Sequence, residues 1–555
     1  MSWEKFKAEC EKLVGDTHGA KAPFSLEIPP KEANADLAFP CFELAKRQKK
    51  NPAEIAKDLE VHISKNMHLI KEVKAFGPYL NFYIDYDKFA PIVLKDILKQ
   101  KEKYGSGNKK GRVVIEFPGP NTNKPLHLGH LRNMTLGISV SNIMKFSGFD
   151  VKNVDIINDR GVHICKSMLA YKEFGGGEPD KKPDHFVGDF YVMFAKRLEK
   201  EPGTEQKIRN MLVDWENGNA NVRSLWRKMN KWAMSGFAQT YKRFGVHTDK
   251  TYFESDHYLK GKEIVEKGMR AKIFKKDEEG NIIIDLEGLG KRVLLRNDGT
   301  SLYITQDMAL AAERYRDFRM DRMIYVVGEE QKDHFRALFK IFEILGYKFS
   351  KNCYHLSYGM VNLPEGKMKS REGTAVDADD LMDEMHKIAE GKIRERNNTG
   401  KDIEKRAEKI GIGAIKYFIV KFDPARAITY DPKASIDFEG DTGPYLQYAY
   451  ARANSILRKS KKKPEAGKLK DEKELNMIKK LSQFSYVIEK SAESCKPNIL
   501  ANYLFELATM FNDFYHSLRV VGQEQEEERL ALVSCTMQVL ENGMKLLGID
   551  VLKEM

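Results

Sequence analysis

Residues Phe117 to Arg132 read FPGPNTNKPLHLGHLR. This stretch joins an apolar run of strand character, Arg112 to Phe117 (RVVIEF), to one of helical character, Leu131 to Phe146 (LRNMTLGISVSNIMKF). A strand feeding a helix N-terminus leaves unpaired N–H groups and the positive end of the helix dipole at the junction, where phosphate is favoured. His127 and His130 lie one turn apart and point the same way. An imidazole in either charge state donates to a phosphate oxygen, and Gly129 leaves room for a flat base to approach the backbone. Strand–helix alternation continues through VDIIN (Val154 to Asn158), a helix over Val162 to Phe174, MIYVVG (Met323 to Gly328), a helix near Asp333 to Leu345, and YHLSYGMV (Tyr354 to Val361). That rhythm predicts an α/β, Rossmann-type parallel-sheet domain with helices on its faces.

Working outward, residues 1–106 read as a compact α+β N-terminal domain, with a helical start at Trp3 to Leu13 and a strand-like Phe76 to Phe82. Residues 107–395 form the nucleotide-type domain, interrupted after Gly175-Gly176-Gly177 by a polar, mostly helical insertion, about 178–250, anchored by Trp226 and Trp232. Asn297-Asp298-Gly299 between Val293–Leu295 and Ser301–Ile304 predicts a hairpin. From 396 to 555 apolar residues recur at helical spacing, an all-α C-terminal domain, with the lysine-rich 458–473 as a loop.

The 555 residues suit two to four domains, and 42% hydrophobic with 31% charged residues suits solvated cores. A net charge of +12 suits a polyanionic partner such as nucleic acid. Six scattered cysteines with no CxxC pair read as reduced thiols rather than a zinc site, so no protein-held metal is expected. No apolar run approaches membrane-spanning length, and MSWEKFKAEC lacks a signal-peptide core, so a cytoplasmic protein with no membrane partner is expected.

Asn121, Lys124, Pro125 and Gly129 surround the two histidines in the order of the HIGH signature of class I aminoacyl-tRNA synthetases, and PNxxKPxHxGHLR resembles the arginyl-tRNA synthetase branch. Gly366 to Gly373 (GKMKSREG) would be a solvated turn if it stood alone; paired with HLGH it resembles the family's KMSKS loop. It departs from that pattern at Ser370, with Lys369 third and Arg371 fifth. The resemblance implies His127, His130, Lys367 and Lys124 as catalytic groups on the phosphates. Gly129, Lys369, Arg371 and His334 would join the histidines in binding ATP, and Mg²⁺ would accompany the nucleotide.

A guanidinium is a planar fork of donors best met by carboxylates. The family's order places Asn121, Glu254, Tyr303, Asp307 and Gln331 around L-arginine. Taken singly each is an ordinary surface or helix-cap residue; Asp307, for instance, would suit the first turn of the helix DMALAAERY. GPYLQYA (443–449) and LLGI (546–549) resemble the family's anticodon-binding helical domain, with Tyr450 where histidine is usual. Tyr448, Tyr515 and Met555 are its candidate tRNA contacts, and residues 1–106 resemble the domain that touches the tRNA elbow. The implied activity is ATP-dependent formation of arginyl-adenylate and transfer to the terminal adenosine 2′-OH of tRNA(Arg), by a monomer. A lysyl-type synthetase, a different HxGH nucleotidyltransferase and a silent tRNA-binding paralogue are the alternatives. The last of these has no reason to keep the histidines and the pocket groups together.

Overall fold

The computed structural model of the chain describes residues 2–18, 26–30, 35–63, 67–299, 301–362, 364, 376–395 and 402–555. Strands β1 (Leu37–Pro40), β2 (Ile70–Phe76) and β3 (Tyr79–Ile84) form an antiparallel sheet in the order β1-β3-β2. Helices Ser2–His18, Pro52–His62 and Tyr86–Gln100 bury Phe6, Leu59, Phe89 and Ile97 in the same core. Phe76 to Phe82 is therefore a hairpin rather than one strand. Gly77 turns at φ 54°, and Pro78 has no N–H to continue a ladder. The Asp36 carboxylate accepts from Ile84 N at 2.8 Å and the Tyr86 hydroxyl at 3.0 Å, and pairs at 2.9 Å with Lys479 of the C-terminal helices.

The central sheet contains β4 (Arg112–Glu116), β5 (Asp150–Ile157) and β6 (Lys250–Phe253). A small antiparallel sheet follows, β7 (Lys275–Lys276), β8 (Ile282–Leu286) and β9 (Gly290–Leu295), before β10 (Arg322–Gly328) and β11 (Cys353–Tyr358) rejoin the central one. The five central strands are all parallel, in the order β11-β10-β4-β5-β6. Val113, Val114, Ile115, Met323, Ile324 and Val326 are buried, as strands covered on both faces require. The chain builds outward from β4 through β5 to β6, then returns to the other side of β4. That reversal opens a crevice at the carboxyl ends of β4 and β10, where ligands of such sheets bind.

The expected hairpin after β9 is not formed. The turn is present, with Gly299 at φ 80°, but only Leu295 and Ser301 bridge, and the ladder partner of β9 is β8. Ile304, Met308 and Ala311 recur at helical spacing and are buried, so the chain enters a helix at Tyr303–Phe318 instead. The segment from 178 to 250 is mainly three long helices, Pro183–Met193, Thr204–Glu216 and Ala220–Phe244, with Trp215 and Trp232 buried between them.

The helix after β4 spans Leu128–Phe146 and is buried on nearly every side, by the sheet on one flank and by C-terminal helices on the other. Gly137 lets it close onto the Phe117 ring, which would lie 2.3 Å from an added Cβ. Ser139 and Asn142 donate to the carbonyls of Leu547 and Lys545, at 3.4 and 3.3 Å. Lys416, on the Ile403–Val420 helix, donates to Gly548 O at 2.8 Å, and burial pushes its amine down to about 8. The helical C-terminal part, Ile403–Val420 and Gly443–Leu546, thus packs directly on the back of the site-bearing helix.

Candidate active site

The helix at Leu128 begins three residues earlier than periodicity suggests, because the two histidines cap it. His127 is the N-cap: its Nδ1 accepts from Gly129 N at 3.1 Å, and the Nδ1 of His130 accepts from His127 N at 3.1 Å. The rings stand 4.0 Å apart. Burial, reinforced by Lys124, pushes His127 down to about 4 and holds His130 well below the ordinary imidazole range. Both rings are therefore neutral at pH 7. A neutral ring whose Nδ1 accepts carries its proton on Nε2, so each ring has one donor to offer a ligand. A Cβ on Gly129 would meet the His127 ring at 2.9 Å, so this glycine first makes room for the histidine itself.

The crevice at the carboxyl ends of β4 and β10 is a cavity of about 630 Å³. Asn121, His127, Gly129, His130, Tyr303, Asp307, Gln331 and His334 all line it. Asp307 does not sit in a first helical turn: its helix starts four residues earlier at Tyr303, so the dipole role falls away and the carboxylate faces the cavity. Its Oδ2 lies 2.6 Å from His334 Nε2, which puts His334 against the carboxylate of the pocket. Glu254 is not among the lining groups, yet it sits in the same field. Burial raises it to about 7 against the pull of Arg160, with Asp159 and Asp307 adding repulsion. Lys367, Lys369 and Arg371 lie outside the described residues.

Several groups around the cavity have no sequence motif to announce them. Glu116, at the end of β4, lines the cavity and pairs with Arg314, which is fully buried with its guanidinium 5.3 Å from the Tyr252 ring. The pair ties the helix carrying Tyr303 and Asp307 to the central strand. Asp155 accepts from Gly119 N at 2.9 Å and the Tyr241 hydroxyl at 3.0 Å, and burial raises it to about 7. Asp159 accepts from Ser255 N and Oγ, at 2.9 and 2.7 Å, fixing the turn that follows Glu254. The signal for Glu116 and Asp155 was a carboxylate inside a strand buried on both faces, which has to be partnered. Arg132 and Asn133 hold the helix from within. Arg132 donates to the carbonyls of Pro424 and Arg426 at 2.9 and 2.6 Å, and Asn133 donates to Val326 O at 2.7 Å.

In the C-terminal helices Tyr448 and Tyr515 come together around a residue the motifs did not mark. The Arg452 guanidinium lies 4.6 Å from each ring and donates to the Tyr448 hydroxyl at 2.9 Å and to Asn512 at 2.7 Å. The i,i+4 spacing of Tyr448 and Arg452 was its only sequence trace. Met555 is half-buried against the cluster containing Leu552 and Ile410. Tyr450 is buried and reaches Glu541 at 3.3 Å, a packing position.

A parallel sheet with its crevice at this reversal, and a histidine pair capping the helix that follows β4, is the arrangement expected of a class I aminoacyl-tRNA synthetase. The family described as tRNA synthetases class I (R), catalytic domain, matches residues 93–429. The DALR anticodon binding domain matches 446–555, and the arginyl tRNA synthetase N terminal domain matches 3–84. The chain belongs to the arginyl-tRNA synthetase family. It is 45% identical to the arginine–tRNA ligase of Treponema denticola over 100% of both chains. It is 41% identical to that of Bacteroides thetaiotaomicron, over 98% of this chain and 99% of the relative. Thermus thermophilus arginyl-tRNA synthetase superposes with a TM-score of 0.85 at 26% identity, covering 100% of each chain.

Proposed function

We propose that this cleft charges tRNA(Arg) with L-arginine in two steps, with the amino acid's guanidinium at the Asp307 end and ATP at the histidine end. The arginine carboxylate attacks the α-phosphate and pyrophosphate leaves. The 2′-OH of the terminal adenosine then takes the arginyl group from the adenylate and releases AMP. No protein nucleophile is needed, so the work is positioning and stabilisation of developing charge. The observation that carries the reading is the reciprocal histidine cap facing the same cavity as Asp307 and Tyr303.

At the phosphate end, the Nε2–H groups of His127 and His130 donate to phosphate oxygens at the positive end of the helix dipole, the amides of Leu128, Gly129 and His130 being bonded already. Because the rings are neutral, they add directed hydrogen bonds without competing as cations. The cationic share falls to Lys124, whose field already depresses both rings, and to Lys367, Lys369 and Arg371. At the other end Asp307, oriented by His334, and the more distant Glu254 supply negative charge for the guanidinium, and Tyr303 walls the pocket. Asn121 and Gln331 serve the α-amino end and the pocket wall. Gly129 also leaves the adenine an approach to the backbone.

Mg²⁺, accompanying ATP as its counter-ion, would supply charge neutralisation. The cluster of three metal-competent groups among the described residues, Asp184, His185 and Asp379, stands outside the cavity lining, and the Lys182 ammonium is bonded to two of them. Tyr448, Arg452 and Tyr515 form a stacking platform for anticodon bases, with Met555 nearby, and the N-terminal domain meets the tRNA elbow. No described helix is long and apolar enough to cross a membrane. A cytoplasmic monomer completes the reading. Pyrophosphate exchange into ATP, run with each amino acid and with or without tRNA, is the test. Exchange with arginine only, and only when tRNA is present, is expected; exchange with lysine, or none at all, would overturn it.

A further inference from the structure

Beside the signature stretch lies a buried charge cluster that the reaction as described does not use. Lys182, the N-cap of the Pro183–Met193 helix, donates to Asp184 at 2.9 Å, Asp379 at 2.8 Å and the Thr240 hydroxyl at 2.8 Å. Thr240 in turn donates to Asp379 at 3.1 Å. His185 Nε2 lies 3.3 Å from Asp377 and 3.4 Å from Asp379. The Asp184 side chain is fully buried, and Lys182 and Asp379 are 18% and 14% exposed. Burial alone would raise Asp379, but the bonds from His185 and Lys182 hold it down to about 2, so the ammonium faces a true carboxylate.

The cluster touches the signature stretch along two routes. Asp377 and His127 form an antiparallel bridge in which Leu128 N donates to Val376 O and Ala378 N donates to Leu126 O, both at 3.0 Å. The Asp377 carboxylate also caps the following helix, accepting from Asp379 N at 2.8 Å and Asp380 N at 3.1 Å. On the other side, Gly188 of the Lys182-capped helix lies against Pro125, whose Cδ would be 2.5 Å from an added Cβ. Gly236 gives the Asp184 carboxylate its space in the same way, with Oδ1 at 2.1 Å from an added Cβ. Packing this close means that a shift of the cluster is transmitted to residues 125–128.

We propose that Lys182, bonded to Asp184 and Asp379, is a positioning residue for adenylate formation: it sets the place of Val376–Ala378 against Leu126–Leu128, and through that pairing the place of the His127 ring. It touches no substrate. The proposal rests on the reading that His127 serves the phosphates. An ammonium with three acceptors drawn from three helical elements fixes their relative placement more narrowly than apolar packing would, because each bond has its own length and direction.

Arginine-dependent pyrophosphate exchange with saturating tRNA, measured on the full chain, separates the outcomes. Lys182→Met is expected to lower kcat about tenfold and leave the arginine KM within twofold. In a His127→Ala background the same substitution should change kcat less than twofold, because its route to the reaction is already cut. Asp379→Asn, which keeps one oxygen to accept from Lys182 and Thr240 but removes the charge, should show the same pattern at about threefold, and serves if Lys182→Met does not fold. Equal, additive losses in both backgrounds would overturn the positioning role, as would an arginine KM that moves with kcat. If His127→Ala itself exchanges at the native rate, the phosphate reading falls and the proposal with it. If only His127→Ala is impaired, the proposal alone falls.

Discussion

Two groups of residues lining the cleft are built by opposite means. The proposed phosphate group is local: His127, Gly129 and His130 lie within four residues, and their ring-to-backbone bonds close within one helical turn. Their environment removes charge, leaving neutral rings with directed donors. The proposed guanidinium group is assembled from afar. Asp307 meets His334 across 27 residues, and Glu116 reaches Arg314 across nearly 200. Its environment concentrates like charge: besides burial, both Asp159 and Asp307 disfavour the charged form of Glu254, against the pull of Arg160. On the proposed reading, an anion would be met by shaped donors and a cation by accumulated acceptors.

The comparison is tested most severely at His130. His130→Ala removes both a phosphate donor and the acceptor of the His127 amide, and is expected to cost about a hundredfold in exchange kcat, roughly the worth of one preorganised donor, with little change in arginine KM. Near-native turnover would move the phosphate role elsewhere. Asp307→Asn should do the reverse. It should raise arginine KM about tenfold to thirtyfold, about 1.5–2 kcal/mol for a charged hydrogen bond, with the ATP KM within twofold. A variant whose ATP KM rises as much as its arginine KM would mean that the two ends are not separate sites.

A pH profile sharpens the same contrast. The Glu254 carboxyl, raised to about 7, is charged at pH 8 and mostly protonated at pH 6, while the substrate guanidinium stays charged throughout. Arginine KM should therefore rise about fivefold from pH 8 to pH 6, and Glu254→Gln should flatten the rise. A slope unchanged in that variant assigns the titration to another group. The smallest effect separates capping from chemistry at His127. His127→Asn keeps an N-cap acceptor and should hold thermal stability within about 0.5 kcal/mol, whereas His127→Ala should lose about 1 kcal/mol. Both should lose turnover alike. If Asn restores turnover, the ring's contribution was the cap.

What could be read beforehand follows the same division. Alternation of apolar strands and helices announced the parallel sheet, and the PNTNKPLHLGHLR string, with Tyr303, Asp307 and Gln331, announced a cavity that brings them together. Two local readings failed where tertiary burial outweighed turn chemistry. The Asn-Asp-Gly turn led into the helix that buries Ile304 and Met308, and Phe76 to Phe82 folded back at Gly77-Pro78. Arg452, held between the Tyr448 and Tyr515 rings, went unread because Tyr515 joins it from another helix.

By itself, then, the sequence determined the family, the sheet and the pairing of two histidines before a helix, because each depends on residues close enough in the chain for spacing to express geometry. Only the tertiary structure decided the charge states and the partners: neutral rings, a Glu254 poised near neutrality, Glu116 on Arg314, and Lys182 between Asp184 and Asp379. Burial and long-range pairing set those, and neither is a property of any short stretch of chain.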